Sequence, residues 1–351
     1  MTPRERVIET LNGRMPDRVP MALGFFSPWI EAIEPMTPEE VFPLDLRFLE
    51  FHPPDHQDGF LAYLQSLPRD IHVGNLGQLE TYYEWAYHPE RGRERPLGGV
   101  RSIEELSDLV LPDLTHPGRT AGLSERVSEW HRQGLAVAGG PPHLGGELFE
   151  MGLRLRGFEP FMEDLMVRKD LAHHLLDQLA RMLIDNVAIL VGTGIDILLL
   201  DDDVAMPTGL IISPAMWREF FKPRLQKAIQ AARELSPDIL VFYHSDGDFT
   251  SLIPELIGIG VDVINPLQPD CMDAAAVKAA FGDRLALWGT VGTALMWDQG
   301  SPQEIRDEVR HRIDTLGPEG LLISPAYDID FAPLENIVGF VDAVEDFGRG
   351  H

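Results

Sequence analysis

Short apolar runs recur along the chain, separated by longer stretches with a helix-like pattern. The runs cover residues 19–24, 71–76, 135–139 and 195–200, followed by 239–243, 261–264, 285–288 and 321–324. Such short, nearly continuous apolar runs are the pattern of strands buried on both faces of a parallel sheet. Helices are predicted over 170–192, 214–235 and 302–316. Their starts are marked by Ser213-Pro214 and Ser301-Pro302, which place serine at the N-cap and proline where no amide hydrogen is needed. Gly192, Gly260 and Gly317 stand where helices should stop.

Eight strands alternating with helices predict an α/β fold, a (β/α)8 TIM barrel formed as a single domain over residues 1–351. The competing architecture is an open doubly wound sheet. No G-x-G-x-x-G follows an early strand, so a dinucleotide site is not indicated. Residues 29–134 are less regular, rich in Pro, His and charge, and read as an insertion covering the barrel mouth. Within it Tyr82, Tyr83 and Trp85 either line a lid, with Tyr82 touching substrate, or form a satellite core.

Composition narrows the partners. The 351 residues carry 29 basic and 56 acidic side chains, a net charge of −27. Such a surface repels nucleic acid and anionic lipid and favours a small-molecule substrate. Cys271 is the sole cysteine, so no internal disulfide forms, which fits a reducing compartment. The polar N-terminus lacks the apolar segment of a signal peptide, and no run of 18 uncharged apolar residues occurs. A cytoplasmic location is expected, with self-association as a homodimer left open.

In a barrel of this kind chemistry sits at the C-terminal ends of the strands. Those ends read Gly139-Gly140-Pro141-Pro142-His143 with Glu147 and Glu150 beyond, then Asp201-Asp202-Asp203, and His244-Ser245-Asp246. Asn265-Pro266-Leu267-Gln268 with Asp270 and Cys271, and Ser324-Pro325-Ala326-Tyr327-Asp328, complete the set. His244 and Asp246 lie two apart, so an extended backbone points both the same way, as a pair of metal ligands requires. They serve equally as rim hydrogen bonding and a helix cap. Of the three adjacent aspartates, like-charge crowding makes one a candidate acid or base. Asp202 or Asp203 is expected to face the pocket, with Tyr327 as a proton or hydrogen-bond donor. His143, Glu147, Gln268 and Trp288 are assigned to substrate binding, and Cys271 is a candidate soft ligand or an inert apolar residue. No nucleophile elbow or phosphate loop is present.

Several stretches resemble the uroporphyrinogen decarboxylase superfamily. They are Thr2-Pro3-Arg4-Glu5-Arg6-Val7, Pro16-Asp17-Arg18-Val19-Pro20, Leu155-Arg156-Gly157-Phe158-Glu159-Pro160-Phe161-Met162, His244-Ser245-Asp246-Gly247 and Phe281-Gly282-Asp283-Arg284. The resemblance implies a TIM barrel with its site at the strand C-termini. One branch of the superfamily decarboxylates a polycarboxylate porphyrinogen through an arginine-bearing segment after the first strand. Here that place reads Gly24-Phe25-Phe26-Ser27-Pro28-Trp29, without arginine. The other branch contains zinc-dependent methyltransferases that exchange methyl groups with corrinoid proteins, coenzyme M or tetrahydrofolate. Its H-x-C and later cysteine ligands fall here on His244, Asp246 and Tyr327.

The resemblance therefore implies metal-assisted methyl transfer from a small methylated substrate to a corrinoid protein or other acceptor. The metal is a divalent ion, zinc first, at His244 and Asp246, with Asp202, Asp203, Glu147 or Cys271 as third ligand. The alternatives are a metal-independent decarboxylase or lyase acting on a smaller substrate, and a non-catalytic binding protein.

Overall fold

The computed structural model describes residues 1–52, 97–107, 115–143 and 146–349. The strand expected at 71–76, and Tyr82, Tyr83 and Trp85, lie outside the described residues.

Among the described residues seven parallel strands form one curved sheet: β1 Leu46–Leu49, β2 Ala136–Gly139, β3 Ile197–Asp201, β6 Leu240–His244, β7 Val263–Asn265, β8 Ala286–Trp288 and β9 Leu321–Leu322, hydrogen-bonded in that order. A two-stranded hairpin, β4 Ala205–Met206 with β5 Gly209–Leu210, projects after β3. The run expected as the first strand contributes a single bridge, Met21 to Ile323. Its backbone joins both edges of the sheet: Ala22 N–H donates to Ile323, Ile323 N–H to Pro20, and Asp45 N–H to Met21. The barrel expected from the alternation of strands and helices is thus found, with one strand relocated. Leu46–Leu49 lies inside the stretch read as an insertion.

The strands alternate strictly between two apolar clusters. Ile197, Leu199, Leu240, Phe242, Val263, Ala286 and Trp288 fill the barrel interior, where Phe242 and Trp288 meet edge to face at 5.0 Å. Leu198, Leu200, Val241, Tyr243, Ile264 and Leu287 face the helices. The period of two places side chains of one parity inside and of the other outside.

Helix Pro3–Leu11 begins with a full capping box, Thr2 with Glu5, and helix Pro302–Leu316 with another, Ser301 with Glu304. The helix expected over 214–235 is interrupted. Pro214–Met216 passes into a wide π-type turn, Trp217–Phe221, before Lys222–Leu235. Pro223 has no amide hydrogen to continue the ladder, which accounts for the wider turn before it.

Candidate active site

Strand pairing aligns the site before any side chain is considered. Asp201 pairs with His244 across β3 and β6, and His244 with Asn265 across β6 and β7. All three share the interior parity, so they stand side by side at the C-terminal end of the barrel. There they border a cavity of about 500 Å³, also lined by Phe25, Phe26, Glu150, Arg154, Gln268 and Tyr327.

His244 is held on three sides. Its ring stacks on Phe25 at 4.2 Å between centroids. Its Nδ1 lies 2.6 Å from Asn265 Oδ1, while Asn265 Nδ2 donates to Trp288 O at 3.0 Å. That second bond orients the amide so that Oδ1 must accept, which places a proton on Nδ1 and, in the neutral ring, leaves the lone pair on Nε2. The lone pair faces carboxylates: Asp203 Oδ1 at 3.6 Å, Asp246 Oδ1 at 3.8 Å and Asp201 Oδ1 at 3.9 Å. Ligand atoms of Asp201, Asp203 and His244 all lie within 4.8 Å of one another.

The surrounding contacts lock these groups. Glu147 Oε2 accepts from Asp201 N–H at 2.6 Å, and Glu147 N–H donates to Asp201 O at 2.8 Å. Asp203 Oδ1 accepts the Asp246 amide at 2.6 Å. Gln268 Nε2 donates to Asp246 Oδ1 at 2.7 Å while its Oε1 accepts from Gly247 N–H at 2.9 Å. Glycine at 247 is obligatory. Its φ is +81°, and a Cβ would lie 2.7 Å from the Met206 backbone of the hairpin.

Several residues are placed differently from expectation. Asp202 has the outward parity and does not line the cavity. Its carboxylate accepts from Phe149 N–H at 2.9 Å and Glu150 N–H at 3.0 Å, capping helix Phe149–Arg156. Asp201 takes the inward place beside Asp203. Trp288 is fully buried in the barrel beneath the cavity and donates to Gly24 O. Cys271 lines a separate depression with Asp270 and Arg312, and its thiol donates to Gln268 Oε1 at 3.5 Å. Glu147 and His143 stand behind Asp201 rather than on the cavity wall, His143 Nε2 lying 3.7 Å from Asp201 Oδ2. Tyr327 and Gln268 do line the cavity, and Tyr327 OH donates to Asp270 at 3.2 Å. Phe25 and Arg154 are wall residues not singled out from sequence, and Glu150 and Asn265, placed at the strand ends without a role, are wall and support residues.

Crowding of acids in a partly dry space shifts their protonation. Burial, followed by Asp203 and Glu147, pushes Asp201 well above the carboxylate range, and burial with Asp202 does the same to Glu147. Burial raises Asp202 to about 7 against the opposing hydrogen bonds of the Phe149 and Glu150 amides. Glu150 is raised to about 8 by burial and Asp203. Burial, with His244 as a second cause, lowers His143 to about 4.

The raised Glu150 has a signed consequence. Its folded pKa exceeds that of an unfolded glutamate, so the native state holds the extra proton and stability falls as pH rises through about 4.5 to 8. Thermal melts of chelator-treated protein should show Tm declining across this window. Glu150→Gln should flatten the decline, and an unchanged slope would refute the assignment.

Seven parallel strands among the described residues, joined edge to edge through the Met21–Ile323 bridge, and a polar cavity at the strand C-termini define a (β/α)8-barrel-type protein with an ionisable centre. Residues 102–347 match the model of the family described as uroporphyrinogen decarboxylase (URO-D), and the chain belongs to that family. Methylcobamide:CoM methyltransferase MtaA of Methanosarcina barkeri is 26% identical over 212 residues, 59% of this chain and 56% of that protein. A uroporphyrinogen decarboxylase of Psychromonas ingrahamii is 25% identical over 253 residues, 69% of this chain and 68% of its own. The chain thus spans little more than half the length of the first relative. A methyltransferase from Methanosarcina mazei has the same fold, with a TM-score of 0.69 over 99% of both chains at 19% identity. Among the described residues no helix is long and apolar enough to cross a membrane.

Proposed function

We propose that this protein transfers a methyl group from a small methylated compound to an external acceptor, a corrinoid protein in the simplest case. One observation carries the reading. His244 is fixed in the tautomer that offers Nε2 to the cavity, among the carboxylates of Asp201, Asp203 and Asp246. Zinc held by thiolates does not fit, because Cys271 lies in a different depression. A divalent cation held by nitrogen and oxygen does fit: Asp201 Oδ1 is buried without a hydrogen-bond partner, and His244, Asp201 and Asp203 are close enough to share an ion. Bound there, a cation supplies Lewis acidity to the atom that carries the methyl group.

The chain's own residues do the rest. Phe25 and Phe26 wall the cavity against water, and Gln268 and Tyr327 offer hydrogen bonds to substrate. Glu150, with its proton retained at neutral pH, can deliver it to the departing atom. The cavity wall carries Glu150, Asp201, Asp203 and Asp246 with Arg154 as a cationic counterpart, which disfavours a polycarboxylate substrate.

The test is turnover of a panel of O-, N- and S-methyl compounds with a reduced corrinoid acceptor, with and without chelator. Methylated acceptor formed only without chelator supports the reading. Chelator-resistant release of carbon dioxide from a carboxylated substrate would replace it with a decarboxylase.

Asn265 provides a finer check. Asn265→Ala frees the imidazole to choose its tautomer, and support of this kind is worth roughly 10- to 100-fold in metal affinity. Calorimetric titration should show that loss, and unchanged affinity would remove Asn265 from the site.

A further inference from the structure

Asp201 Oδ1 is the atom that demands an account. Its residue is 6% exposed, the oxygen has no hydrogen-bond partner, and it points toward the Nε2 lone pair of His244 at 3.9 Å. A buried oxygen without a hydrogen-bond partner is costly, and native structures keep one where an unseen partner relieves it. A proton can bridge two acceptors, but three carboxylate oxygens surround this one nitrogen at 3.6 to 3.9 Å. Ligand atoms around an ion with bonds of about 2.1 Å stand roughly 3 to 3.5 Å apart. The distances from His244 Nε2 need shorten by only a few tenths of an ångström, and the Asp201 and Asp203 oxygens, within 4.8 Å of each other, close further by side-chain rotation.

The donors are also held in advance. His244 is oriented by Asn265, Asp203 by the Asp246 amide, Asp246 by Gln268, and the Asp201 backbone by Glu147. Hydrogen bonds of this kind behind each ligand are what metal centres use to fix tautomer and carboxylate orientation. The donors comprise one imidazole nitrogen and carboxylate oxygens, without sulfur. Carboxylate-rich sets suit harder ions, whereas thiolates select softer ones.

The structure assigns to Asp201, Asp203 and His244, with Asp246 beside them, a hard-cation centre, suited to Mn2+ or Fe2+, whose cavity-facing side takes an oxygen donor of the substrate. This deepens the methyl-transfer reading by naming the class of cofactor and of the atom that meets it. It rests on that reading only for the location of the substrate.

The experiment uses the full chain, stripped with chelator and titrated with MnCl2 while electron paramagnetic resonance follows the free-ion signal. One ion per chain is expected to disappear from solution. Asp201→Asn and Asp203→Asn should each weaken binding at least tenfold with little change in Tm, and Cys271→Ser should bind as the parent does. Asp203, one-third exposed, keeps the test valid if the Asp201 variant fails to fold. An added phenol should alter the bound-ion spectrum, and an added thiol should not.

Absence of Mn2+ binding would overturn the centre, as would equal binding by both asparagine variants or loss of binding in Cys271→Ser. A response to thiol alone would overturn the oxygen-donor assignment. Methyl transfer by protein shown to hold no cation would sink the centre and leave the reaction standing. Bound Mn2+ without methyl transfer from any donor would do the reverse.

Discussion

His244→Ala is expected to lower methyl transfer by about a thousandfold or more, the equivalent of roughly 4 kcal/mol of barrel-mouth chemistry. The size follows from position. His244 is the nitrogen around which Asp201, Asp203 and Asp246 are arranged, and its removal leaves carboxylates with nothing to organise them. The fold should survive, because the interior beneath is closed by Phe242 and Trp288 rather than by the imidazole. Single-turnover assays of the variant, with circular dichroism to confirm folding, provide the check. Activity above about a tenth of the parent would remove His244 from the mechanism.

Asp45→Ala should produce the largest loss of stability. This aspartate is fully buried at the opposite end of the barrel and accepts from Arg6 Nη1 at 2.6 Å, Arg18 Nη1 at 2.8 Å and Met21 N–H at 2.9 Å. Its own N–H donates to Met21 O, so it fastens the residues that bridge the two edges of the sheet. Removing one partner of a buried charged set costs about 3–5 kcal/mol, because the remaining charge stays desolvated. The expected fall in Tm is on the order of 5 °C or more, read by calorimetry. Asp17→Ala is the control. Asp17 pairs with Arg6 from a side chain that is 41% exposed, and its loss should matter much less. Equal effects from the two variants would show that Asp45 does not hold the barrel closed.

The fate of the three consecutive aspartates shows where the sequence stopped being legible. Ile197, Leu198, Leu199 and Leu200 are all apolar because β3 is buried on both faces, by the barrel interior and by the helix layer. A run apolar at every position carries no phase, so it cannot say which of the following aspartates points inward. Of Asp202 and Asp203, between which the sequence does not choose, Asp203 lines the cavity and Asp202 caps helix Phe149–Arg156. Only the packing of Leu199 inside and Leu200 outside gives Asp201 and Asp203 the inward parity. Trp288 fails for a related reason: inward parity near a strand end placed it in the core, one layer below the cavity.

Strand β1 was hidden differently. Leu46-Arg47-Phe48-Leu49 contains an arginine and lies in an irregular region, so it lacks the continuous apolar signature. Arg47 is accommodated because its guanidinium donates to the backbone oxygens of Leu44, Leu46 and Glu39. The role of Asn265 was similarly hidden, since one asparagine at a strand end shows no partner until its amide is seen between His244 and Trp288.

By itself the sequence determined the barrel, most of its strands, the capped helix starts and the rim where chemistry gathers. Those features depend on local periodicity and on residues adjacent in the chain. The tertiary structure alone decided which acids meet His244, that Cys271 stands apart, and how the first strands close the ring. Each depends on register between strands distant in sequence, where a shift of one residue would turn the same side chains to the opposite face.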